Sequence, residues 1–275
     1  MSRPRDARNP QHAEMADESM VRTLAAQAEL LWPQEEPLFR RYGLAGALRI
    51  LDVGCGTGEI THRLAALYPE AEVTGVDLLA SHLDEARRRY AGFGARLRFE
   101  LGDAMALAAA GDGAFDLVVC RHMVQSVPDA AGVVAELVRV TRAGGRLHVL
   151  AEDYHMLHAE PGALDPDAFW LRGPVAFGAA VGTELRVGRK MLGLLRSAGA
   201  RAIAVDYLTI DTVRSERETL ARMMVAWRDG FAPSIGAETA LTESEAVAHF
   251  DEMIATIRDP TRYFVWHVPV WSASK

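Results

Sequence analysis

Cysteine is scarce in this sequence: Cys55 and Cys120 are the only two in 275 residues. Two thiols build no disulfide scaffold, and so low a count points to a reducing cytoplasm and to small hydrophobes in tight places. A basic surplus is also missing. The chain has 30 Lys and Arg against 37 Asp and Glu, a net charge of −7, which excludes the phosphate-neutralising face that nucleic-acid binding needs. No apolar run reaches the roughly 20 residues of a membrane span. The arginine-bearing first nine residues have no signal-peptide core and read as a frayed tail. What remains is ordinary globular composition, 49% hydrophobic and 24% charged, enough for one large domain or a core with a cap. These exclusions leave a small molecule as the partner, with no nucleic acid and no membrane, and a homodimer left open.

Glycine is concentrated where it matters. Leu51-Asp52-Val53-Gly54-Cys55-Gly56-Thr57-Gly58-Glu59 follows an apolar run at 47–53 and precedes a helical pattern of Ile60, Leu64, Leu67 and Tyr68. Alternate glycines let the backbone turn sharply and approach a ligand that a Cβ would repel. Nineteen residues after Gly58, a second apolar segment closes on Asp77. That is where a doubly wound sheet grips the ribose hydroxyls of a nucleoside cofactor. The third glycine of a dinucleotide fingerprint is replaced by Glu59, and no Gly-Lys-Ser/Thr follows. Two carboxylates, Asp52 and Glu59, suit a cation better than a pyrophosphate.

D-x-G-x-G-x-G followed by Asp77 resembles the class I, Rossmann-like S-adenosylmethionine-dependent methyltransferases, in particular the type 11, UbiE-like group. The resemblance covers about residues 47–151. It implies S-adenosylmethionine as cofactor, held at the loop Gly54, Cys55 and Gly56. Asp52 would hold the methionine moiety, Asp77 with Leu78 the ribose, and Asp103 with Ala104 the adenine. Arg121 would contact cofactor through its backbone. Arg22, on the N-terminal helix, is a candidate for the methionine carboxylate.

Strand and helix patterns alternate at 72–77, 96–101, 115–120 and 146–151, with helices begun by Ser81 and Asp129. The expected fold is α/β: a doubly wound, mostly parallel seven-stranded sheet with helical cap and lid insertions. Residues 1–46 form a helical cap whose helix, 16–31, is stopped by Pro33 and Pro37. Residues 47–210 form the cofactor-binding core, with a lid insertion at 152–186. A strand at 201–210 follows a helix stopped by Gly199. Residues 211–261 are a second helical insertion, including a helix capped by Thr242 with Glu245, and 262–275 supply the final antiparallel strand.

His122, just beyond the fourth strand, is the candidate general base, with His155 as a second, because imidazole titrates near neutral pH. Gln125 and Tyr154 are placed in the acceptor pocket, with Trp32, Trp170 and Trp227 as aromatic lining. Glu152, Asp153, His155 and His158 cluster without a third ligand at metal spacing, so no metal is expected. The expected activity is methyl transfer to O or N of a small organic molecule. The alternatives are a non-catalytic cofactor-binding protein, or a cyclase that uses the cofactor as an electrostatic aid.

Overall fold

In the computed structural model, residues 6–107 and 110–275 are described; residues 1–5 of the expected tail lie outside them. The chain begins with α1 (His12–Met15) and a long α2 (Glu18–Arg41). Then come β1 (Arg49–Val53), α3 (Thr61–Leu67), β2 (Glu72–Asp77), α4 (Ala80–Arg89), β3 (Leu97–Leu101) and β4 (Phe115–Arg121). Next are α5 (Ala130–Val140), β5 (Thr141–Leu150), a short β6 (Leu157–Ala159), α6 (Pro166–Trp170), α7 (Ala176–Val181) and α8 (Met191–Ser197). The chain closes with β7 (Arg201–Asp211), α9 (Arg217–Glu238), α10 (Glu243–Arg258) and β8 (Phe264–Ser274).

Eight strands form one sheet in the order β3-β2-β1-β4-β5-β8-β6, with β7 paired to β8. Strands β1 to β5 run parallel, and β8 is antiparallel to β5, β6 and β7. The sheet therefore has one strand more than expected. The addition is β6, which continues the line of β5 along β8 and is only three residues long. Strand order reverses between β1 and β4, and a crevice opens beyond the carboxyl ends of strands at such a point. Leu117 to Cys120 in β4 are all 0% exposed, as a parallel strand covered on both faces should be.

Two sequence expectations need correction. First, Pro33 and Pro37 do not stop α2, which runs through both to Arg41. An internal proline costs about 3 kcal/mol through a lost N–H bond and a clash. Burial on both sides offsets it, since Leu31, Glu35 and Phe39 are all 0% exposed and each buried apolar side chain contributes roughly 1.5–3 kcal/mol. Gln34 adds a two-way bond to the backbone of Thr209 in β7, at 2.8 and 3.0 Å. Second, Ser81 does not cap α4. Asp77 Oδ1 instead accepts from Leu79 N, at 2.9 Å, at the head of that helix.

Other local expectations are met by the geometry. Asp129 caps α5, and Thr242 with Glu245 forms a reciprocal capping box on α10. The inserted helices α9 and α10 pack with α2, α6 and β8 into a single apolar cluster that includes Leu31, Trp170, Trp227, Phe250 and Trp266. The cap is thus continuous with the antiparallel edge of the sheet.

Candidate functional site

The glycine turn sits at the reversal point. Gly54 N and Cys55 N donate to Val76 O, at 2.8 and 3.0 Å, which ties the turn to β2. Gly54 has φ +73°, and a Cβ there would come within 2.8 Å of Met123 Cγ. Gly56 has φ +52°, and a Cβ would meet Leu24 of α2 at 2.7 Å. Both positions disfavour a side chain on conformation, and Gly54 on space as well, because the Met123 Cβ and Cγ cannot swing aside as the Leu24 tip can. Asp77 Oδ2 accepts from Gly56 N at 2.8 Å, while its other oxygen holds the head of α4. One carboxylate therefore joins the turn to the next helix and faces the crevice.

An open cavity lies above this turn. Gly54, Gly56, Asp77, Leu78, Asp103 and Ala104 form one wall. Arg121, His122, Gln125, Glu152, Tyr154 and Trp227 lie on another, and Met20, Thr23, Leu24 and Gln27 of α2 close it. Arg8 and Asn9 also line it, so the described part of the expected tail is folded over the cavity.

His122 and Glu152 make the shortest polar contact on the cavity wall. They follow β4 and β5, neighbouring parallel strands in which Arg121 pairs with Leu150. His122 Nδ1 lies 2.5 Å from Glu152 Oε1. Both side chains are almost wholly buried, and His122 Nε2 has no partner. Gln125 Nε2 reaches the same carboxylate oxygen at 3.4 Å. The His122 backbone has φ +52°, a left-handed conformation uncommon for a residue with a Cβ, and its N–H is held by Leu150 O at 3.0 Å. Burial, followed by the neighbouring Glu152 charge, pushes the Tyr154 phenol well above its ordinary range.

Beneath the cavity lies a second buried polar group that the sequence reading missed. Arg121 Nε donates to Glu35 Oε1 at 2.7 Å, and His148 Nε2 meets the same oxygen at 2.8 Å. His148 Nδ1 lies 2.8 Å from Tyr42 Oη, and its ring stacks on Phe39 at 4.2 Å. Burial alone would raise the Glu35 carboxyl, but the Arg121 charge and the His148 hydrogen bond override it and hold it at about 2. The signal was there: Ala28, Leu31, Glu35 and Phe39 share a helical face once α2 is read past Pro33. Glu152 was visible too, as an acid just beyond β5 beside His122 just beyond β4, but it was weighed only as a metal ligand. His82, on the cavity wall and 6% exposed, was also missed.

Six expected site residues lie elsewhere. Asp52 is 2% exposed beneath the turn, where it accepts from Thr61 Oγ1 at 2.7 Å; burial raises it to about 6. Cys55 points away from the cavity wall, its Sγ 3.7 Å from Gly56 O and packed toward Gly75. Arg22 is paired with Glu18 one helical turn away at 2.9 Å and with Asp229 of α9 at 3.1 Å, two opposite charges that satisfy it off the cavity wall. Trp32 packs against Phe39 at 5.7 Å. His155 is off the cavity wall, and burial and then the Arg189 charge lower its pKa. Trp170 does not touch the main cavity but lines a smaller chamber behind it. Among the described residues no three His, Cys, Asp or Glu side chains could hold a metal ion together, and no helix is long and apolar enough to cross a membrane.

Comparison with known proteins agrees with this geometry. Residues 50–145 match the family model described as "Methyltransferase domain". The ubiquinone/menaquinone biosynthesis C-methyltransferase UbiE of Desulfotalea psychrophila is 37% identical over 117 residues, 41% of this chain and 46% of that protein. The ubiquinone biosynthesis O-methyltransferase of Aromatoleum aromaticum is 39% identical over 108 residues, 39% of this chain and 45% of that protein. The chain thus spans less than half the length of these curated relatives. Phosphoethanolamine N-methyltransferase 2 of Haemonchus contortus, solved with S-adenosyl-L-methionine, aligns with a TM-score of 0.56 at 19% identity over 89% of this chain and 52% of that one. The [4+2]-cyclase SpnF aligns over 99% of both chains with a TM-score of 0.60 at 19% identity, a likeness of fold alone. Residues 50–145 are thus a methyltransferase domain. The close-approach turn with Asp77 at the end of β2 fits a nucleoside that carries no phosphate.

Proposed function

We propose that this protein transfers the cofactor's methyl group to a hydroxyl oxygen of a small organic acceptor bound in the cavity. The observation that carries the reading is the 2.5 Å contact between His122 Nδ1 and Glu152 Oε1, with Nε2 left without a partner. S-adenosylmethionine supplies a methyl group on a cationic sulfonium, so its leaving group needs no protein acid. Gly54, Gly56, Asp77 and Leu78 hold the nucleoside, with Asp103 and Ala104 at the adenine end and the Arg121 backbone beside the turn. His122 Nε2 takes the hydroxyl proton as the acceptor oxygen bonds to the methyl carbon and the old carbon–sulfur bond gives its electron pair to sulfur. Glu152 is a positioning residue: it fixes Nδ1–H and stabilises the imidazolium once the proton has moved. Gln125, Tyr154 and Trp227 shape the acceptor side and exclude water. An O-methyltransferase among the relatives supports an oxygen acceptor.

The test is a methyl-transfer assay with labelled cofactor and a panel of phenols and alcohols. His122→Asn should lower the rate at least about 100-fold, the usual worth of a general base. Its affinity for S-adenosylhomocysteine should stay within about threefold, since only transition-state stabilisation is removed. Glu152→Gln should slow transfer while leaving S-adenosylhomocysteine affinity within about threefold. An unchanged rate in both variants would remove His122 as base.

A further inference from the structure

Two arginines line the cavity, and they are not equivalent. Arg8 is exposed and tied to Asp6 at 3.3 Å. Arg121, at the end of β4, is only 9% exposed. Its Nε donates to Glu35 Oε1 at 2.7 Å, and neither terminal nitrogen has a hydrogen-bond partner among the described residues. Nη2 is enclosed, whereas Nη1, which projects from the edge opposite Nε–H, stays open. A guanidinium has five donors in a rigid fork, so one carboxylate oxygen does not use it up. Helix α2 adds a second unmet donor. Gln27 lies about two turns ahead of Glu35 on the same helical face, is 4% exposed and lines the cavity. Its amide makes no hydrogen bond among the described residues, nor is it sealed off. The order of strands gives these donors their meaning. Along β3-β2-β1-β4 the cavity meets Asp103 beyond β3, Asp77 at the end of β2, the glycine turn beyond β1, and then Arg121. Adenine, ribose, sulfur and amino acid follow one another in the cofactor in the same order.

We propose that the Arg121 guanidinium, aimed by Glu35, forms with the Gln27 amide the seat of the cofactor's α-carboxylate, the role that Arg22 cannot fill. The inference rests on reading S-adenosylmethionine as the cofactor. Arg121 then binds through its side chain as well as its backbone, and Glu35 is a positioning residue that acts through it. The carboxylate takes the open edge of the fork, while Glu35 keeps the other edge from turning into the cavity. Helix α2 thereby contributes to cofactor binding twice, once directly and once through the buried ion pair.

Calorimetry tests this with S-adenosylhomocysteine and its decarboxylated analogue, which keeps the nucleoside, the sulfur and the ammonium. The unmodified protein should bind S-adenosylhomocysteine about 100-fold more tightly than the analogue, the worth of hydrogen bonds to a charged group. Arg121→Met should remove most of that preference while leaving the analogue's affinity within about threefold. Gln27→Leu should weaken S-adenosylhomocysteine alone, by about fivefold. Glu35→Gln, which keeps an acceptor for Nε but not the charge, should lower the preference by about threefold and spare the analogue. Arg121→Met leaves Glu35 buried without its partner. If that variant does not fold, Arg121→Lys decides: it keeps the charge beside Glu35, but one ammonium offers no fork for two carboxylates, and the preference should fall about tenfold. Comparable binding of the two ligands by the unmodified protein would overturn the proposal, as would a preference unchanged by substitution of Arg121. Equal losses for both ligands would overturn it too, because they mark a structural role alone. Binding of neither ligand to the unmodified protein would instead remove the cofactor reading on which the seat depends.

Discussion

The two walls of the cavity are built differently. On the cofactor side, Gly54 and Gly56 offer backbone edges and Asp77 one carboxylate, all within a short stretch of chain at the ends of β1 and β2. On the acceptor side, the wall is assembled from distant parts of the chain: His122 from beyond β4, Glu152 from beyond β5, Trp227 from α9, Gln11 from the turn ahead of α1 and Leu24 from α2. Local backbone geometry fixes the first wall. Long-range packing fixes the second, and a single buried carboxylate, Glu35, ties α2 to Arg121 and His148 beneath it.

That contrast can be broken from the acceptor side first. Glu35→Ala leaves the Arg121 guanidinium buried without its partner, which should cost about 3–5 kcal/mol in denaturant unfolding, the largest single effect expected. The pH dependence has a definite sign. Glu35 is held at about 2, below its ordinary 4.5, so its contribution is present above about 4.5 and lost as pH falls towards 2. Unfolding free energy of the unmodified protein should fall across that window, and Glu35→Gln should flatten the slope. A slope unchanged by the substitution would mean that other carboxylates govern acid stability.

On the cofactor side, Gly54→Ala forces a side chain into a left-handed backbone, at about 1–2 kcal/mol, and against Met123 at 2.8 Å. S-adenosylhomocysteine affinity should fall by about tenfold or more, measured by calorimetry, with the fold retained. The smallest effect sharpens the boundary between the walls and the rest. Arg22→Ala and His155→Ala should each leave cofactor affinity and rate within about twofold, because an exposed ion pair is worth less than about 1 kcal/mol and His155 lies off the cavity.

The same division explains what could be read from the chain. The glycine turn, Asp77 and the parallel strands were legible because each depends on neighbours in sequence: spacing, apolar runs and turn chemistry. Asp129 and Thr242 were legible as caps for the same reason. Pro33 and Pro37 misled because tertiary burial of Leu31 and Phe39 overrides a local penalty. Ser81 misled because Asp77, already in use at the turn, also serves the helix. Cys55 has a cavity residue on either side of it in sequence, yet the sharp turn sends its side chain away from the opening, and Asp52, inside β1, is taken up by Thr61 beneath the turn. No periodicity could reveal that Glu35 meets Arg121 across 86 residues.

Helix α2 carries cavity residues near its start and Glu35 near its end, in one continuous rod. Its far end is bolted to the sheet by charge, aromatic stacking and the Gln34 clasp on Thr209. The segment ahead of it is joined to the lid by Gln11 to Thr183 and Ser234 to Glu14. A load on this rod is therefore taken up at its sheet end, so the carboxylate that anchors the floor also sets where the cavity-facing turns of the helix come to rest.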